Sequence, residues 1–414
     1  MKIGIVGAGM VGLTTAYRLS KNGHQVVIFE KNSFPGGLAA GFKEKGWDWP
    51  LEESYHHLFS SDKAILDLLQ ELDLADQVFF SQPKTSIFYH NKISQFDSPL
   101  SLLTFPHLEF KDKLQSALAT LYLKVTDDWR SLEKTPASSW LPKYYGQRSY
   151  QTLWESLLES KFGSSKNEIP MSWFWARIKK RSRALGYLEG GFQTLIDKLT
   201  EEIRKNGGQI YLGRPIRRFN DLNHFSKPDR IIFTIPTSSF LSICPDLPPV
   251  YKNKLKKLKM IGALNLILIL KEKFLTDNTY WLNINEEGFP FVAVVEHTNF
   301  IDPAHYGGNH LLYIGGYYPQ IHRYFKMKND QILKEFLPYL QKINPDSPLQ
   351  ITNYYLFKNL FAQPIIPINY SQLLPLHQTP IPNVYLANMQ QVYPWDRGTN
   401  YAVELGEKIA HEIS

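Results

Sequence analysis

The sequence predicts an α/β protein in which a parallel-sheet domain, assembled from separate stretches of chain, carries an inserted mixed α+β domain. Three observations lead to this fold. A strand, a glycine-rich turn, a helix and a second strand open the chain over residues 2–29. Strand and helix patterns of the same kind return in residues 187–219 and 383–413. The sequence between these stretches is first helical and then rich in strands.

A glycine-rich turn joins the first predicted strand to the first predicted helix. Its glycines are Gly7, Gly9 and Gly12, and Met10 lies among them at the start of the helix. Gly7 permits the tight turn, Gly9 lets the main chain approach a pyrophosphate at the positive helix end, and Gly12 allows close helix–strand packing. Glu30 ends the second strand, where its carboxylate can accept hydrogen bonds from a ribose. The arrangement predicts a dinucleotide site, and an ordinary glycine turn is the alternative.

The domain boundaries follow from where these patterns begin and end. We predict that residues 1–60, 187–245 and 365–414 form the nucleotide-binding domain. Residues 61–186 and 246–364 then form the inserted domain, which would hold the substrate. The helical stretches of the inserted domain, marked by an apolar spacing of 3.6 residues, are 63–72, 111–132, 150–162 and 172–181.

The composition is that of a globular protein with a high share of aromatic residues. Apolar residues make up 43% of the 414 positions and aromatic residues 14%, which favours a roomy aromatic-lined pocket or an apolar surface. The one cysteine, Cys244, excludes an internal disulfide and a cysteine-based metal cluster, and we predict no metal site. A single cysteine also fits a reducing compartment.

The positions of these segments bear on localisation. The predicted nucleotide-binding sequence begins almost at Met1, so we expect no signal peptide. The longest uncharged apolar run, Met260–Leu270, is far short of the roughly 20 residues that a membrane-spanning helix needs. We therefore expect a cytoplasmic protein, with peripheral contact to the inner face of the membrane left open.

Two basic runs contribute to the formal net charge of +7. One lies at residues 177–183 and the other at residues 252–259. A solvated helical face is one interpretation of each run, and contact with anionic lipid headgroups or a phosphorylated substrate is the other. Neither run comes with a nucleic-acid-binding motif, so we expect no nucleic-acid partner.

Further motifs extend the pattern along the chain. Residues 31–39 contain the doublet Gly36-Gly37. Residues 187–216 combine two glycine doublets with a predicted helix and a predicted strand. Residues 384–388 form a predicted strand, and residues 397–400 follow it where the next predicted helix begins. With the opening turn, these features resemble the superfamily of FAD-dependent amine oxidases, protoporphyrinogen oxidases and phytoene desaturases. The resemblance implies a discontinuous Rossmann-like domain that binds FAD non-covalently. NAD as the resident cofactor is the alternative.

The resemblance also implies which residues contact the cofactor. Beyond the opening turn and Glu30, they are Lys31, Gly36, Gly37, Leu38, Ile216, Asn388, Arg397, Gly398, Thr399 and Asn400. The last four would bring a helix N-terminus to the flavin, where its positive end would stabilise the negative charge of the reduced ring.

The second glycine segment departs from the superfamily pattern. Amine oxidases and many desaturases carry arginines beside the doublet, whereas Phe34 precedes it here and Leu38 follows it. In this respect the segment is more similar to UDP-galactopyranose mutase. The arginine with which mutases hold a sugar diphosphate has no counterpart, since Phe291 takes the corresponding position. A flavin-dependent sugar-nucleotide mutase without net redox is therefore the second functional hypothesis.

Histidines are the candidate catalytic bases, because imidazole titrates near neutral pH. His56 and His57 follow the second glycine doublet in the chain, and His297 follows a predicted buried strand beside Glu296. A carboxylate next to an imidazole can raise its basicity, but neighbouring strand residues point to opposite faces, so this pairing is not assured. A structural role in a polar network is the alternative for each histidine.

These observations predict an FAD-dependent oxidoreductase of oxidase or desaturase type. It would take a hydride from a C–H bond of a small, largely apolar substrate onto flavin N5, and the substrate could carry an anionic group. A scaffold that binds a partner or a membrane is the third hypothesis. The aromatic residues that could line a substrate tunnel are Trp47, Trp49, Tyr55, Phe59, Trp173, Trp175, Phe289, Phe291, Tyr313 and Tyr317.

Overall fold

The computed structural model describes residues 1–222 and 227–414. Its strands are β1 (Lys2–Val6), β2 (Gln25–Phe29), β3 (Gly41–Phe42), β4 (Leu51–Glu52), β5 (Leu58–Phe59), β6 (Val78–Ser81), β7 (Lys84–Tyr89), β8 (Lys92–Gln95), β9 (Leu185–Leu188), β10 (Gln209–Tyr211), β11 (Arg230–Phe233), β12 (Met260–Leu270), β13 (Thr279–Ile284), β14 (Ala293–Glu296), β15 (His310–Tyr318), β16 (Ile351–Pro364) and β17 (Val384–Leu386).

The α-helices are α1 (Met10–Lys21), α2 (Lys63–Glu71), α3 (Pro99–Thr104), α4 (Phe110–Val125), α5 (Trp129–Leu132), α6 (Ala137–Tyr145), α7 (Gln147–Ser149), α8 (Ser156–Phe162), α9 (Met171–Lys180), α10 (Phe192–Lys205), α11 (Thr237–Ile243), α12 (Pro249–Leu255), α13 (Asn329–Ile343) and α14 (Thr399–Ile413). A π-helical segment, Tyr150–Glu155, leads into α8.

A five-stranded parallel sheet is the centre of the nucleotide-binding domain. Its order is β10-β2-β1-β11-β17, so the first strand of the chain lies in the middle. Alternate side chains enter two cores, with Ile5, Ile28 and Ile232 on one face and Val27 and Phe233 on the other. Helices cover both faces, which is why these short strands are almost wholly apolar. The predicted α/β class is confirmed.

Helices α1 and α14 pack closely on one face of this sheet. α1 begins after Gly9 and ends before Gly23, which has a positive φ of 81°. Gly406 of α14 lies at the crossing point, where an added Cβ would be 2.8 Å from the Cβ of Thr14. The Thr15 hydroxyl donates to the Gly406 carbonyl across the same contact. The C-terminal helix is therefore part of the nucleotide-binding layer.

A seven-stranded mixed sheet, ordered β16-β12-β15-β14-β13-β7-β8, forms the floor of the inserted domain. The apolar run Met260–Leu270 is its strand β12, paired antiparallel with β15 and β16. Leu264 and Leu266 face a core closed by α13, whereas Ala263 and Asn265 face a cavity on the other side. Within residues 1–222 and 227–414, no helix has the length and apolar content that crossing a membrane requires.

The helical part of the inserted domain covers the second face of the parallel sheet. The helix predicted at 111–132 is interrupted, because α4 ends at Val125 and α5 begins only after Asp128, whose side chain accepts from the Ser131 N–H. Helix α2 packs instead on α14, and its Ile65 N–H donates to Asn400 Oδ1 at 3.1 Å. The exact domain boundaries stay a prediction.

Candidate active site

The opening turn has the shape that a dinucleotide needs. The Gly7 N–H donates to Phe29 at 2.9 Å, and Gly7 has a φ of 109°. A Cβ on Gly12 would be only 2.0 Å from the Gly7 carbonyl oxygen, so both glycines are required for the turn itself. A Cβ on Gly9 would have no atom of the described chain within 4 Å, and no described side chain caps α1 there. The turn thus leaves open space at a positive helix end, which fits a pyrophosphate.

Glu30 is tied to this turn. Its Oε2 accepts from the Ala8 N–H at 2.8 Å and its Oε1 from the Asn32 N–H at 2.9 Å. The carboxylate is buried, and it is thereby held at the end of β2, where a ribose would lie. Met10 is buried in the first turn of α1, while Lys31 is exposed beside Glu30.

The second glycine doublet packs directly on the first motif. The Gly36 N–H donates to the Ala8 carbonyl at 2.8 Å, and Gly36 has a φ of 114°. A Cβ on Gly37 would be 3.1 Å from the Cα of Gly9. The two glycine segments, distant from each other in the chain, therefore form one surface, and Leu38 continues it into the cavity.

Ile216 and Asn388, two residues predicted to contact the cofactor, are both buried in the protein. The chain before Ile216 is attached to β2, since the Arg214 N–H donates to the Glu30 carbonyl at 2.7 Å. Ile216 itself is buried in a hydrophobic core. Asn388 is also buried, and its Nδ2 donates to the Ile235 carbonyl at 2.9 Å, which joins the ends of β11 and β17. Contact of either residue with FAD stays a prediction.

The segment Arg397–Asn400 lies where the sequence predicts, at the start of α14 and on the wall of a cavity of about 280 Å³. This volume is near the lower end of the range for small-molecule sites. The N-terminus of α14 therefore opens into the cavity, beside side chains from the mixed sheet and from α9. Asn400 has a second role, because it accepts the hydrogen bond from Ile65 described above.

Basic side chains dominate the charged lining of the cavity. They are Lys161, Arg177, Lys180, Arg181 and Arg397, and the acidic residues of the lining are Asp62 and Asp396. Asp396 Oδ2 accepts from Arg177 at 2.8 Å. Burial alone would raise the pKa of Asp396, but Lys161, Arg177 and Arg397 bring it well below its ordinary value. Asp396 is therefore ionised and offsets part of the positive charge.

Lys161 is buried against aromatic rings. Only 6% of its surface is exposed, and its Nζ lies 5.0 Å from the ring centre of Trp173 and 5.1 Å from that of Tyr317. Burial lowers the pKa of Lys161 well below its ordinary value. An anion bound nearby would favour the protonated side chain again, so this position responds to the charge of a ligand.

Arg397 is hydrogen-bonded to neutral groups. Its Nε donates to Gln363 Oε1 at 2.8 Å and its Nη2 to the Tyr317 hydroxyl at 2.6 Å. Tyr55 lies beside Tyr317 on the cavity wall, and burial raises its pKa well above the ordinary value. Asn265 donates to Ser54 Oγ at 2.6 Å on the same wall. The guanidinium of Arg397 thus has neutral hydrogen-bond partners, and the carboxylate of Asp396, which it helps to keep ionised, offsets part of its charge.

His56 and His57 both line the cavity, as predicted for residues near the flavin. Burial lowers the pKa of His56 to about 4 and that of His57 to about 3, so both are neutral at neutral pH. His56 Nδ1 lies 2.6 Å from the Ser54 carbonyl, which assigns the ring proton to Nδ1 and leaves Nε2 as an acceptor. His57 Nδ1 is buried without a hydrogen-bond partner among the described residues. A polar partner could therefore come from a bound molecule.

His297 lies apart from this cavity. Its Nε2 is 2.8 Å from the Tyr306 hydroxyl inside an aromatic cluster, and burial lowers its pKa to about 3. Glu296 does not pair with it, because Oε2 of Glu296 accepts from the N–H groups of Phe274 and Leu275. The structure thus brings His56 and His57 together and leaves His297 outside the lining. A catalytic role of His297 stays a prediction.

Several residues of the site were missed from the sequence. Lys161 and Gln363 belong to a helix and a strand whose patterns carry no functional signal, and their roles arise only from tertiary packing. Of the ten aromatic candidates, Tyr55, Phe59 and Tyr317 line the cavity, and the others lie elsewhere.

Glu52 is a further missed residue, at the junction of the two lobes. Its Oε2 accepts from the Tyr187 hydroxyl and its Oε1 from the Phe192 N–H at the start of α10, each at 2.7 Å. The Tyr313 hydroxyl donates to its main-chain carbonyl, also at 2.7 Å. Burial raises the pKa of Glu52 to about 7. Glu52 thus connects the nucleotide-binding helix α10, through its carboxylate, with the mixed sheet, through its main-chain carbonyl.

Fold and site together define a dinucleotide-binding protein, in which a glycine-lined cofactor edge leads into a partly open cavity. The family model described as flavin containing amine oxidoreductase matches residues 10–413, and the chain belongs to this family. It is an FAD-dependent oxidoreductase, which confirms the predicted resemblance and cofactor.

Relatives of known name include plant and cyanobacterial desaturases. The chain is 22% identical to the 15-cis-phytoene desaturase of Glycine max over 94% of its own length and 75% of that enzyme. It is also 22% identical to the 15-cis-phytoene desaturase of Synechococcus elongatus, over 53% of its own length. In that second match, the chain spans about half the length of the relative, 51%.

Solved structures share the fold over the whole chain. A protein from Exiguobacterium sp. 255-15, assigned as a protoporphyrinogen oxidase, has a TM-score of 0.77 at 16% identity and covers 100% of this chain and 98% of that one. A putrescine oxidase has a TM-score of 0.75 at 15% identity, again with 100% and 98% coverage. At these identities the likeness concerns the fold alone.

Proposed function

We propose that this FAD-dependent oxidoreductase oxidises a small, largely apolar substrate that carries an anionic group. The observation that supports the proposal is the charge of the cavity. Among the described residues of its lining, five side chains are basic and two are acidic. A carboxylate or phosphate is attracted by this excess of positive charge, and low-dielectric walls strengthen the attraction.

The arrangement of the basic groups points to the same conclusion. Arg177 is paired with Asp396 at 2.8 Å, whereas Arg397 is bound by the neutral groups of Gln363 and Tyr317. Lys161 has aromatic neighbours. Arg397 and Lys161 thus remain available to a ligand. A protonated amine would meet net repulsion here, which argues against an amine substrate even though the family description names amines.

The rest of the lining suits an apolar substrate body. Tyr55, Phe59, Leu157, Trp281 and Ala293 contribute rings and aliphatic groups to the wall. Trp281 meets the Tyr55 ring edge to face at 4.8 Å, so these rings form a packed wall. Such a surface excludes water and positions a C–H bond, which are the contributions that an oxidation of this kind needs from the protein.

The proposed reaction takes a hydride from a C–H bond of the substrate. When bound, FAD supplies the hydride acceptor at N5. The glycine turn and Glu30 would hold its dinucleotide part, and the segment 397–400 would lie at its ring. Because burial lowers the pKa of His56 to about 4 and that of His57 to about 3, both imidazoles are weak bases, and their role would be to accept a hydrogen bond from the substrate, with Nε2 of His56 as the candidate acceptor.

Anaerobic bleaching of the bound flavin tests the proposal. Three compounds differ in charge and correspond to the names of relatives: protoporphyrinogen, with carboxylates; phytoene, a neutral hydrocarbon; and putrescine, a dication. We expect the anionic apolar compound to bleach the flavin without added reductant and putrescine to leave it oxidised. Bleaching by putrescine alone would contradict the proposed substrate class. A requirement for prior chemical reduction, with no net electron transfer, would favour the mutase hypothesis.

A further inference from the structure

An exposed apolar stripe runs along helix α4. Its side chains are Phe110, Leu114, Leu118, Leu121 and Val125, each between 52% and 75% exposed. Their spacing of three and four residues places them on one face of the helix. The opposite face is also apolar and packs into the protein through Ala119 and Leu123. The helix therefore has one apolar face for the core and a second one directed outward.

Helix α3 extends the same surface. The Lys113 side chain donates to the Leu103 carbonyl at 2.7 Å, which brings the end of α3 against α4. Leu100 and Leu103 of α3 are 70% and 56% exposed. A contiguous apolar surface on two neighbouring helices is costly in water and marks an interaction site. We propose that this stripe, formed by α3 and α4, docks the protein on the surface of an anionic phospholipid bilayer.

Basic groups border the stripe. Lys124 Nζ lies at its far end, 2.7 Å from the Arg181 carbonyl, and Lys179 Nζ lies 3.2 Å from the Val125 carbonyl. The nearest carboxylate there, Asp127, is paired with Lys179 at 2.9 Å. At the other end, Glu109 is paired with Arg148. Within α4, Lys111, Lys113 and Lys124 outnumber the one carboxylate, Asp112, so the net charge at the border is positive, and this sign complements anionic headgroups.

Aromatic rings flank the stripe in the manner of membrane-interface residues. Tyr122 is 48% exposed and stacks on Trp140, whose ring lies 4.4 Å from that of Tyr144. Tyr144 is 47% exposed, and Lys143 Nζ lies 5.2 Å from its ring centre. Rings with an apolar body and a polar tip prefer the headgroup region. An aliphatic stripe with such a border fits a lipid surface better than a protein partner.

The stripe ends beside the cavity. Arg181, which accepts the hydrogen bond from Lys124, is itself part of the cavity lining. The stripe therefore borders the wall of the cavity that would hold the proposed apolar substrate. The docking argument rests on the surface and not on that substrate, so the two proposals can fail independently.

Co-sedimentation with vesicles tests the docking surface without any assay of activity. The probes are vesicles of phosphatidylcholine mixed with phosphatidylglycerol, and vesicles of phosphatidylcholine alone. The test variant is Leu114→Glu with Leu118→Glu. The matched control is Ile321→Glu with Leu376→Glu, which changes two apolar side chains that are 89% and 82% exposed elsewhere. Flavin absorbance and the thermal midpoint check that each variant is folded.

We expect the FAD-loaded wild type to bind the mixed vesicles more tightly than the neutral ones. The Leu114 and Leu118 variant should bind them at least about tenfold more weakly, and the control should bind as the wild type does. Failure of the wild type to bind mixed vesicles, or equal loss in both variants, would overturn the proposal. Light scattering tests the alternative that a second copy of this chain covers the stripe. A dimer that dissociates in the Leu114 and Leu118 variant would show that this alternative is correct.

Discussion

The cofactor edge and the substrate cavity are built in opposite ways. At the edge, Gly7, Gly9 and Gly37 contribute main chain only, with open space beside Gly9, and Glu30 is the buried charged side chain among them. The cavity is instead walled by charged and aromatic side chains that come from distant segments, such as Lys161 and Arg397. Main-chain groups recognise what all dinucleotides share, and side chains recognise one substrate. Dinucleotide binding, which is common to proteins of this fold, thus relies on main-chain groups, and substrate recognition relies on side chains.

Gly9→Glu tests the cofactor edge, and we expect it to have the largest effect. The carboxylate would occupy the open space before α1 and place negative charge where the pyrophosphate binds. We expect the FAD content of the purified protein to fall at least about tenfold. Absorbance of the protein and chromatography of the heat-released flavin measure this content.

The control is Asn206→Glu, which adds the same charge at an exposed helix end. It should purify with the FAD content of the wild type. If Gly9→Glu were also fully yellow, the cofactor edge would have been placed wrongly.

Glu52→Gln probes the junction between the two regions. Burial raises the pKa of Glu52 from 4.5 to about 7, so the folded protein binds this proton more tightly than the unfolded chain does. The stability of the wild type therefore falls as the pH rises from about 4.5 to about 7 and is constant above that range. At high pH, Glu52→Gln removes this loss of about 3 kcal/mol in the free energy of unfolding. The reason is that the amide stays neutral and can still accept the hydrogen bond from the Phe192 N–H.

Thermal midpoints at pH 5 and pH 8 measure this effect. The variant should gain on the wild type at pH 8 and not at pH 5. Glu189→Gln, at an exposed position near the same helix, should show no such change between the two pH values. A midpoint difference for Glu52→Gln that is the same at both pH values would disprove the proposed role of its burial.

Lys161→Met has the smallest expected effect and concerns the cavity alone. It keeps the length of the side chain and removes its charge. For an anionic compound that reduces the flavin, we expect kcat/KM to fall about tenfold, with FAD content unchanged. Lys256→Met, in the other basic run and exposed, should leave kcat/KM as it is. Equal rates for the Lys161 variant and the wild type would remove this residue from the anion site.

The fold and the cofactor edge could be predicted because their signals are local. Gly7, Gly9 and Gly12 lie within one turn, and the strands around them are continuous apolar runs. The cavity could not be predicted in the same way. Arg177 and Lys257 belong to similar basic runs, yet the first lines the cavity and the second is exposed. Only the direction of α9 relative to the mixed sheet separates them, and no short pattern encodes that direction.

The order of strands in the parallel sheet has a consequence for synthesis of the chain. Ile3 pairs with Arg230, and Ile231 pairs with Val384. The ribosome makes the central strand β1 long before the edge strand β17 and helix α14. A nascent chain therefore holds one edge of β1 without β11, and one surface of α1 without α14, while the intervening segments are made. Such long-range pairing slows folding, and the apolar surface that α14 covers in the folded protein stays exposed until this helix has emerged.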